Sequence, residues 1–414
     1  MRQSISALTA TLSALALVGA GPALAQPRHP ESPGGEAATG DHRVLHPTTS
    51  SGGGLGTPVV PLPSFLRAST TSTDPTGWQV APGVTYTKWV QTNARGPMRV
   101  HLLAVSWETP GVRIDYAKKG SVRSTAPVPD ILKVDRAVGG VNGDFYDIGH
   151  TGAPLGLGRD RESGLVHGRT SGWNASFYFD AQGVPQVGQL PMVAELTDHP
   201  DMKVTNFNSP FVYPDGIGIY TRAWGRTDGY AVTRGQTTGV RMVLVRDGRV
   251  VATKKKLPHD TAINGLLLIG RGHGAQQLGH LQKGQKVAAS WHLEGHPQMA
   301  ISGNHVLIGE GVDVALDDQY KAPRTAIGID RDTHEVLIVA VDGRKKSSRG
   351  ATMVELADLM QSLGADEALN LDGGGSTTMV ARKPDGTTPV VNVPSDGFLR
   401  WVSNAVEVTY TKPQ

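Results

Sequence analysis

The 414-residue sequence contains no cysteine. Disulfides and cysteine nucleophiles are therefore excluded, so the stability of the fold must come from packing. Aromatic residues make up only 6% of the chain, and the formal net charge is only +3. The two basic clusters, Lys254–Lys256 and Arg344–Lys346, have no aromatic residues between them, and this pattern predicts solvated loops with no nucleic-acid partner.

The chain also lacks an apolar run long enough to span a membrane. The first apolar segment, from Ile5 to Val18, follows Arg2 and precedes Ala23-Leu24-Ala25. This order is typical of a Sec-type secretory signal peptide, so we predict cleavage near Ala25 and export. The absence of cysteine in an exported chain favours a bacterial protein.

The composition divides the chain into three parts: residues 1–25, 26–75 and 76–414. Residues 26–75 are rich in Pro, Gly, Ser and Thr and have little apolar periodicity, which predicts a disordered linker after the signal peptide. The remaining residues are sufficient for one large catalytic domain, with two lobes as the alternative.

Short apolar segments between Gly and Pro turns dominate residues 76–414. Residues 77–117 alternate as in a β-meander, and short helices are predicted near 126–137, 192–196, 275–281 and 352–363. Thr352 and Glu355 have the spacing of a capping box at the start of the last helix. The predicted fold class is α+β, with twisted mixed and antiparallel sheets and few helices.

A polar loop, residues 370–379 with the sequence NLDGGGSTTM, separates two apolar segments. It follows a predicted strand, helix and strand, and both strands end in Asp-Gly. If these strands are parallel, Asp342 and Asp372 emerge at the same sheet edge, where α/β proteins bind ligands. Three glycines permit a nest of inward-pointing amides with the Ser376 and Thr377 hydroxyls beside it. The alternative is an ordinary turn.

Two further segments carry candidate site residues. Residues 142–147, Asn-Gly-Asp-Phe-Tyr-Asp, follow a predicted strand and are more polar and more aromatic than a type I′ turn requires. Arg400 and Asn404 precede the final strand and can serve either the site or the fold. By contrast, His292-x-Glu294-x-His296 lacks the spacing of a known zinc motif.

Five segments occur in the order found in the phosphodiester glycosidase family, which this chain resembles over roughly residues 80–408: Val141–Tyr146, Pro323–Gly328, Val341–Arg344, Thr352–Ala357 and Asn370–Met379. The resemblance implies that one pocket contains Asn142, Asp144, Arg324, Thr325, Asp342, Arg344, Glu355, Asn370, Asp372, Gly373, Gly374 and Ser376.

The resemblance also implies a reaction. A glycosidase of this family cleaves the carbon–oxygen bond of a sugar-1-phosphodiester, here resembling N-acetylglucosamine-1-phosphodiester in a cell-wall or capsular glycan. The oxocarbenium-like transition state needs a carboxylate as base or nucleophile. Asp342 and Asp372 are the leading candidates, followed by Asp144 and by Glu355, which a capping box explains equally well.

The phosphate would be bound by arginine and by backbone amides. Arg324, with Arg344 as a second candidate, can contact phosphate oxygens in a bidentate manner. The amides of Gly373–Gly375 would add hydrogen bonds.

Two alternatives come from other functional classes. Asp144, Asp342 and Asp372 could hold a divalent cation in a phosphodiesterase that cleaves the phosphorus–oxygen bond. A non-catalytic glycan-binding module would instead use exposed Trp173, Trp224 and Trp401. The sequence requires no cofactor and leaves the oligomeric state open.

Overall fold

The computed structural model describes residues 49–50, 56–315 and 317–414. The predicted signal peptide and most of the predicted linker lie outside these residues. These described residues belong to one compact unit. No helix in the described part of the chain is long and apolar enough to cross a membrane.

The N-terminal part forms eight strands: β1 (Thr57–Pro58), β2 (Thr71–Ser72), β3 (Thr76–Ala81), β4 (Val84–Asn93), β5 (Gly96–Ser106), β6 (Val112–Ala117), β7 (Ala126–Pro127) and β8 (Gly139–Asn142). The middle part forms fourteen: β9 (Gly158–Asp160), β10 (Gly164–Arg169), β11 (Ala175–Phe179), β12 (Pro185–Gln189), β13 (Met192–Leu196), β14 (Val204–Phe207), β15 (Ile217–Tyr220), β16 (Arg226–Asp228), β17 (Val240–Arg246), β18 (Arg249–Lys254), β19 (His259–Ala262), β20 (Leu266–Arg271), β21 (Ala289–Leu293) and β22 (Met299–Ser302).

The C-terminal part forms nine strands: β23 (His305–Gly309), β24 (Val312–Asp313), β25 (Tyr320–Lys321), β26 (Arg324–Asp330), β27 (Glu335–Val341), β28 (Glu367–Leu371), β29 (Met379–Ala381), β30 (Trp401–Val402) and β31 (Ala405–Tyr410). The α-helices among the described residues are α1 (Ser64–Ala68), α2 (Val128–Leu132), α3 (Gly272–Gly279) and α4 (Met353–Ser362). The fold is therefore α+β with few helices, as predicted.

Three sheets carry most of the strands. Ten strands form one sheet in the order β12-β11-β22-β9-β10-β14-β15-β20-β17-β18. Nine form a second sheet, β2-β4-β5-β27-β26-β28-β23-β24, with β3 paired to β4. A four-stranded sheet, β29-β8-β31-β6, brings the end of β8 together with the starts of β29 and β31.

The centre of the nine-stranded sheet is buried on both faces. In β27, Ile338 and Ala340 contribute to one hydrophobic cluster, whereas Leu337 and Val339 contribute to another that includes residues of α4. Since neighbouring side chains in a strand point to opposite faces, a continuous apolar run is required here.

The order of the central strands places both Asp-Gly sequences at one edge. β26 pairs antiparallel with β27 on one side and with β28 on the other, so β27 and β28 run parallel to each other. Asp342 and Asp372 therefore follow the ends of these strands at the same edge, as predicted. Because β26 separates them, the two strands lie about 10 Å apart.

The predicted capping box of α4 is confirmed. The Thr352 hydroxyl accepts a hydrogen bond from the Glu355 amide at 3.1 Å, and the Glu355 carboxylate accepts one from the Thr352 amide at 3.0 Å. Gly364 follows the helix with a φ of +93°, which glycine adopts without the cost of a Cβ.

Two predicted elements differ from the structure. Residues 192–196 form a strand, because all five pair with β21 and tertiary pairing outweighs their helix propensity. In the predicted meander, β3, β4 and β5 pair in sequence, but β6 pairs with β31 in the four-stranded sheet.

The predicted disorder of the linker does not hold for residues 56–75. This segment includes β1, α1 and β2, and its two strands pair with β25 and β4. Arg67 also forms an ion pair with Asp358 at 2.8 Å. These contacts with distant residues supply the order that the local composition does not.

Candidate active site

Asn142, at the end of β8, holds three segments of the site together. Its side-chain amide donates to the Asp372 carbonyl at 2.6 Å. Its side-chain oxygen accepts hydrogen bonds from the Thr325 hydroxyl at 2.9 Å and from the Thr378 amide at 3.1 Å. The Thr325 hydroxyl also lies 3.4 Å from that of Thr377. These side chains are thus used in the framework that shapes the 372–378 loop.

The glycines of this loop permit close packing. Within the predicted nest, the Gly374 amide donates to the Pro323 carbonyl at 2.8 Å, and the adjacent Ser376 amide donates to the Gly373 carbonyl at 3.2 Å, so these two amides are already engaged. A Cβ on Gly375 would overlap Asp396 and Arg400, and one on Gly373 would lie 2.7 Å from the Pro323 carbonyl. The loop therefore requires glycine because other chain segments approach its backbone.

Asp372 is the carboxylate at the centre of the site. It is 1% exposed, and neither of its carboxylate oxygens has a hydrogen bond of normal geometry within the described ranges. Burial raises the pKa of Asp372 to about 6, although the nearby hydroxyls of Ser50 and Ser376 and the charge of Arg400 act in the opposite direction.

Asp144 is a second buried carboxylate beside Asp372. One of its oxygens accepts a hydrogen bond from the Gly156 amide at 2.7 Å, and its own amide donates to the Asn404 side chain at 2.8 Å. Burial raises the pKa of Asp144 well above its ordinary value, and the charge of Asp372 raises it further, whereas Arg169 acts in the opposite direction. The charge of Asp372 thus favours the neutral form of Asp144.

Unpaired buried polar atoms are concentrated around these two carboxylates. Among the described residues, those in this region are Asp144 Oδ1, Asn370 Oδ1, both carboxylate oxygens of Asp372, Ser376 Oγ and Thr378 Oγ1. Leaving polar atoms buried without partners is unfavourable, so such a group indicates a place where a polar ligand binds. Thr378 and its neighbours therefore mark a candidate ligand-binding region.

Asp342 lies in a different environment. Its carboxylate accepts a hydrogen bond from the Val393 amide at 2.8 Å, lies 3.3 Å from His101 Nε2, and also receives the Asn392 side chain. Arg99 is 3.7 Å away. Both carboxylate oxygens of Asp342 are thus occupied by protein groups, in contrast to those of Asp372.

Glu355 also has a full set of partners. Besides closing the capping box, it accepts a hydrogen bond from Asn93 at 2.8 Å and lies 3.3 Å from Lys321 and 3.2 Å from Arg95. Burial by itself raises the pKa of Glu355, but Lys321 and the hydrogen bonds together lower it. These contacts explain Glu355 as a structural residue.

The two predicted phosphate-binding arginines are already engaged. Arg324 donates to the carbonyls of Ala351 and Tyr320, both at 3.0 Å, and burial lowers the pKa of Arg324 to about 10. Arg344 lies near the Gly374 backbone and 3.5 Å from Asp396. Backbone carbonyls thus occupy donors of Arg324, and Asp396 holds Arg344.

Ser50 is a site residue that the sequence did not identify. It is 3% exposed, its amide donates to the Tyr146 carbonyl at 3.0 Å, and its carbonyl accepts a hydrogen bond from Arg400 at 2.7 Å. Arg400 is itself paired with Asp396 at 2.6 Å. The segment assigned to the linker thus contributes a hydroxyl beside Asp372.

The structure therefore divides the predicted residues into groups. Those around the unpaired carboxylates are Asp144, Asn370, Asp372, Ser376, Arg400 and Asn404, whereas Asn142, Thr325, Gly373, Gly374 and Thr377 form the supporting framework. No cluster of three or more His, Asp or Glu side chains arranged to hold a metal ion occurs in the part of the chain that the structure describes.

Part of the chain matches a known protein family. Residues 225–409, which include Asp342 and Asp372, match the phosphodiester glycosidase family. This segment, less than half of the chain, is similar to that family. Asp144 precedes the matched segment.

The proteins similar to this chain are distant relatives or match only a small part of it. The SPbeta prophage-derived uncharacterised protein YomE of Bacillus subtilis is 38% identical over 95 residues, which are 23% of this chain and only 14% of that protein. A hypothetical protein from Synechocystis has a similar structure, with a TM-score of 0.68 and 22% identity over 82% of this chain and 64% of its own. A Burkholderia pseudomallei protein thought to be exported has a TM-score of 0.65 and 18% identity over 82% of this chain and 97% of its own.

Proposed function

We propose that the protein is a hydrolase that cleaves the glycosidic carbon–oxygen bond of a sugar-1-phosphodiester. The products are free sugar and a phosphomonoester. The observation that carries this proposal is the pair of buried carboxylates, Asp144 and Asp372, among polar atoms that have no protein partner. The match of residues 225–409 to the phosphodiester glycosidases supports the same reaction class.

The two carboxylates have different roles in this mechanism. Asp372, whose pKa is raised to about 6, is largely ionised at neutral pH and acts as the base or nucleophile at the anomeric carbon. Burial raises the pKa of Asp144 well above its ordinary value, which favours the protonated form, and in that form Asp144 donates a hydrogen bond. Carboxylates with different environments can thus divide acid and base roles at one pH.

The bond changes are those of glycoside hydrolysis. The bond between the anomeric carbon and the phosphate oxygen breaks, and its electron pair stays on that oxygen. Water adds its oxygen to the anomeric carbon and releases a proton. Since phosphate is a weakly basic leaving group, stabilisation of its negative charge contributes more than strong acid catalysis.

The substrate belongs to the class of N-acetylglucosamine-1-phosphodiesters in a cell-wall or capsular glycan. Support for this location comes from the signal-peptide pattern of residues 1–25. The unpaired polar atoms around Asp144 and Asp372 match a sugar with several hydroxyl groups.

The test is hydrolysis of an N-acetylglucosamine-phospho-alkyl diester by residues 26–414, followed by phosphorus NMR. Free sugar with an alkyl phosphate is the expected result. Sugar 1-phosphate with free alcohol would show phosphorus–oxygen cleavage and overturn the proposal. Asp372→Asn should abolish turnover, which excludes a contaminating hydrolase.

A further inference from the structure

Arg169, at the end of β10, is a buried cation whose hydrogen-bond partners are all uncharged. It is 2% exposed, and its guanidinium lies 4.9 Å from the ring centre of Phe211. Its Nε donates to the Ser209 hydroxyl at 3.3 Å and one Nη donates to the Tyr213 hydroxyl at 3.2 Å. The other, Nη2, is buried and has no partner among the described residues.

A second guanidinium lies at the same aromatic ring. Arg234 is 4.5 Å from the centre of Phe211, and its buried Nε also lacks a hydrogen-bond partner in the described ranges. Burial lowers the pKa of Arg234, and the charge of Arg169 lowers it further. Two cations are therefore held near each other in a partly buried space, which is unfavourable unless an anion accompanies them.

Arg161 provides a contrast within the same molecule. It stacks on Phe179 at 4.9 Å, the same distance that separates Arg169 from Phe211. However, Arg161 lies 3.7 Å from the Asp115 carboxylate. The described residues place no carboxylate within ion-pair distance of Arg169 or Arg234, so stacking on an aromatic ring does not by itself explain these two arginines.

The arginine pair lies near Asp144, one of the two proposed catalytic carboxylates. Arg169 favours the charged form of Asp144, and Phe145, which follows Asp144, packs in one small cluster with Phe211. Gly156 links the two sides, because its amide binds Asp144 while its carbonyl lies 3.0 Å from His167 Nδ1, two residues before Arg169. The unpaired atoms of Asp144 and Arg169 thus lie on neighbouring, contacting segments of the chain.

We propose that Arg169 and Arg234 bind the phosphate group of the substrate and place it beside Asp144. This inference rests on the proposed function and assigns the phosphate to residues other than Arg324 and Arg344. A guanidinium offers planar, paired donors that match phosphate oxygens, and two of them suit a tetrahedral anion better than a single carboxylate.

The arginine pair also fits the direction of the reaction. A phosphodiester has one negative charge, and cleavage of the carbon–oxygen bond leaves the electron pair on the phosphate, which gains a second. Two cations therefore stabilise the departing group more strongly than the bound substrate, and such differential binding accelerates the reaction.

The first experiment measures binding of inorganic phosphate to residues 26–414 by isothermal titration calorimetry. We expect Arg169→Gln to weaken phosphate binding at least about tenfold, since a charge-assisted hydrogen bond is lost. Arg234→Gln should weaken it in the same direction. Arg161→Gln is the matched control, and its dissociation constant should equal that of the wild-type chain.

Kinetics and folding complete the test. Arg169→Gln should lower kcat for the diester about 100-fold, beyond any change in KM, and Arg169→Lys should recover part of it. Near-ultraviolet circular dichroism shows whether each variant folds. If Arg169→Gln does not fold, Arg234→Gln decides the question, because Arg234 is the less buried residue of the pair.

The outcomes separate this inference from the proposed function. If the wild type hydrolyses the diester and folded variants of Arg169 and Arg234 keep its phosphate affinity and kcat, the phosphate site is overturned while the glycosidase remains. If the wild type hydrolyses no diester but binds phosphate through Arg169, the phosphate site is supported and the proposed reaction is overturned.

Discussion

Asp342 and Asp372 have the same local sequence context but different environments. Each follows a buried strand and precedes glycine, and the two strands run parallel on either side of β26. Asp342 receives a backbone amide and neighbouring side chains, whereas both carboxylate oxygens of Asp372 lack hydrogen-bond partners within the described residues. A strand end thus determines where a carboxylate emerges, and the distant segments around it determine whether it is free to react.

The largest expected effect comes from replacing the unpaired carboxylate. Asp372→Asn should reduce kcat roughly 10²–10⁴-fold, because the base or nucleophile is removed while the shape of the side chain is kept. Asp342→Asn is the matched control and should retain most of kcat in a steady-state assay. Equal losses of kcat in the two variants would contradict a catalytic difference between Asp372 and Asp342.

Asp372→Asn and Asp342→Asn should also differ in their free energies of unfolding. Burial raises the pKa of Asp372 from 3.8 to about 6, so its contribution to the free energy of unfolding is fully present below pH 4 and is lost as pH rises through 6. Asp372→Asn removes this loss and should stabilise the protein by on the order of 3 kcal/mol at pH 8 but not at pH 4. Urea unfolding at both pH values measures the difference.

In that experiment, Asp342→Asn should change the free energy of unfolding in the opposite direction, by lowering it. Its carboxylate accepts the Val393 amide and lies beside His101, so an amide at this position loses acceptor capacity. A destabilisation of about 1–3 kcal/mol at pH 8 is expected. Stabilisation of both variants would contradict the contrast in hydrogen bonding.

Glu355 extends the comparison to a third carboxylate. Glu355→Gln should lower the free energy of unfolding by about 1–2 kcal/mol, because it weakens the ion pairs with Lys321 and Arg95. Its kcat should remain near that of the wild type in the same assay. A catalytic role for Glu355 would appear instead as a large loss of kcat in a folded variant.

The smallest expected effect concerns the N-terminal segment. The wild-type kcat/KM should rise with pH through about 6, as Asp372 becomes ionised. The Ser50 hydroxyl lowers the pKa of Asp372, so Ser50→Ala should move this limb of the pH profile to higher pH by a few tenths of a pH unit. A shift to lower pH would contradict the placement of this hydroxyl.

Much of the fold around the site follows from local sequence. The apolar run before Asp342, the capping box at Thr352 and the glycine after α4 each have a direct physical cause, and each occurs where predicted. The helix predicted at residues 192–196 failed because a five-residue segment takes its structure from the strand beside it.

The sequence by itself determined the short apolar strands, the helix signals and the order of polar loops that ends in the phosphodiester glycosidase segment. These depend on residues near one another in the chain. Only the tertiary structure decided which polar groups remain unpaired: His101, which lies 241 positions before Asp342, helps to enclose that carboxylate, while Ser50 reaches Asp372 from the predicted linker. Burial and hydrogen bonding depend on such distant neighbours, and local sequence does not specify them.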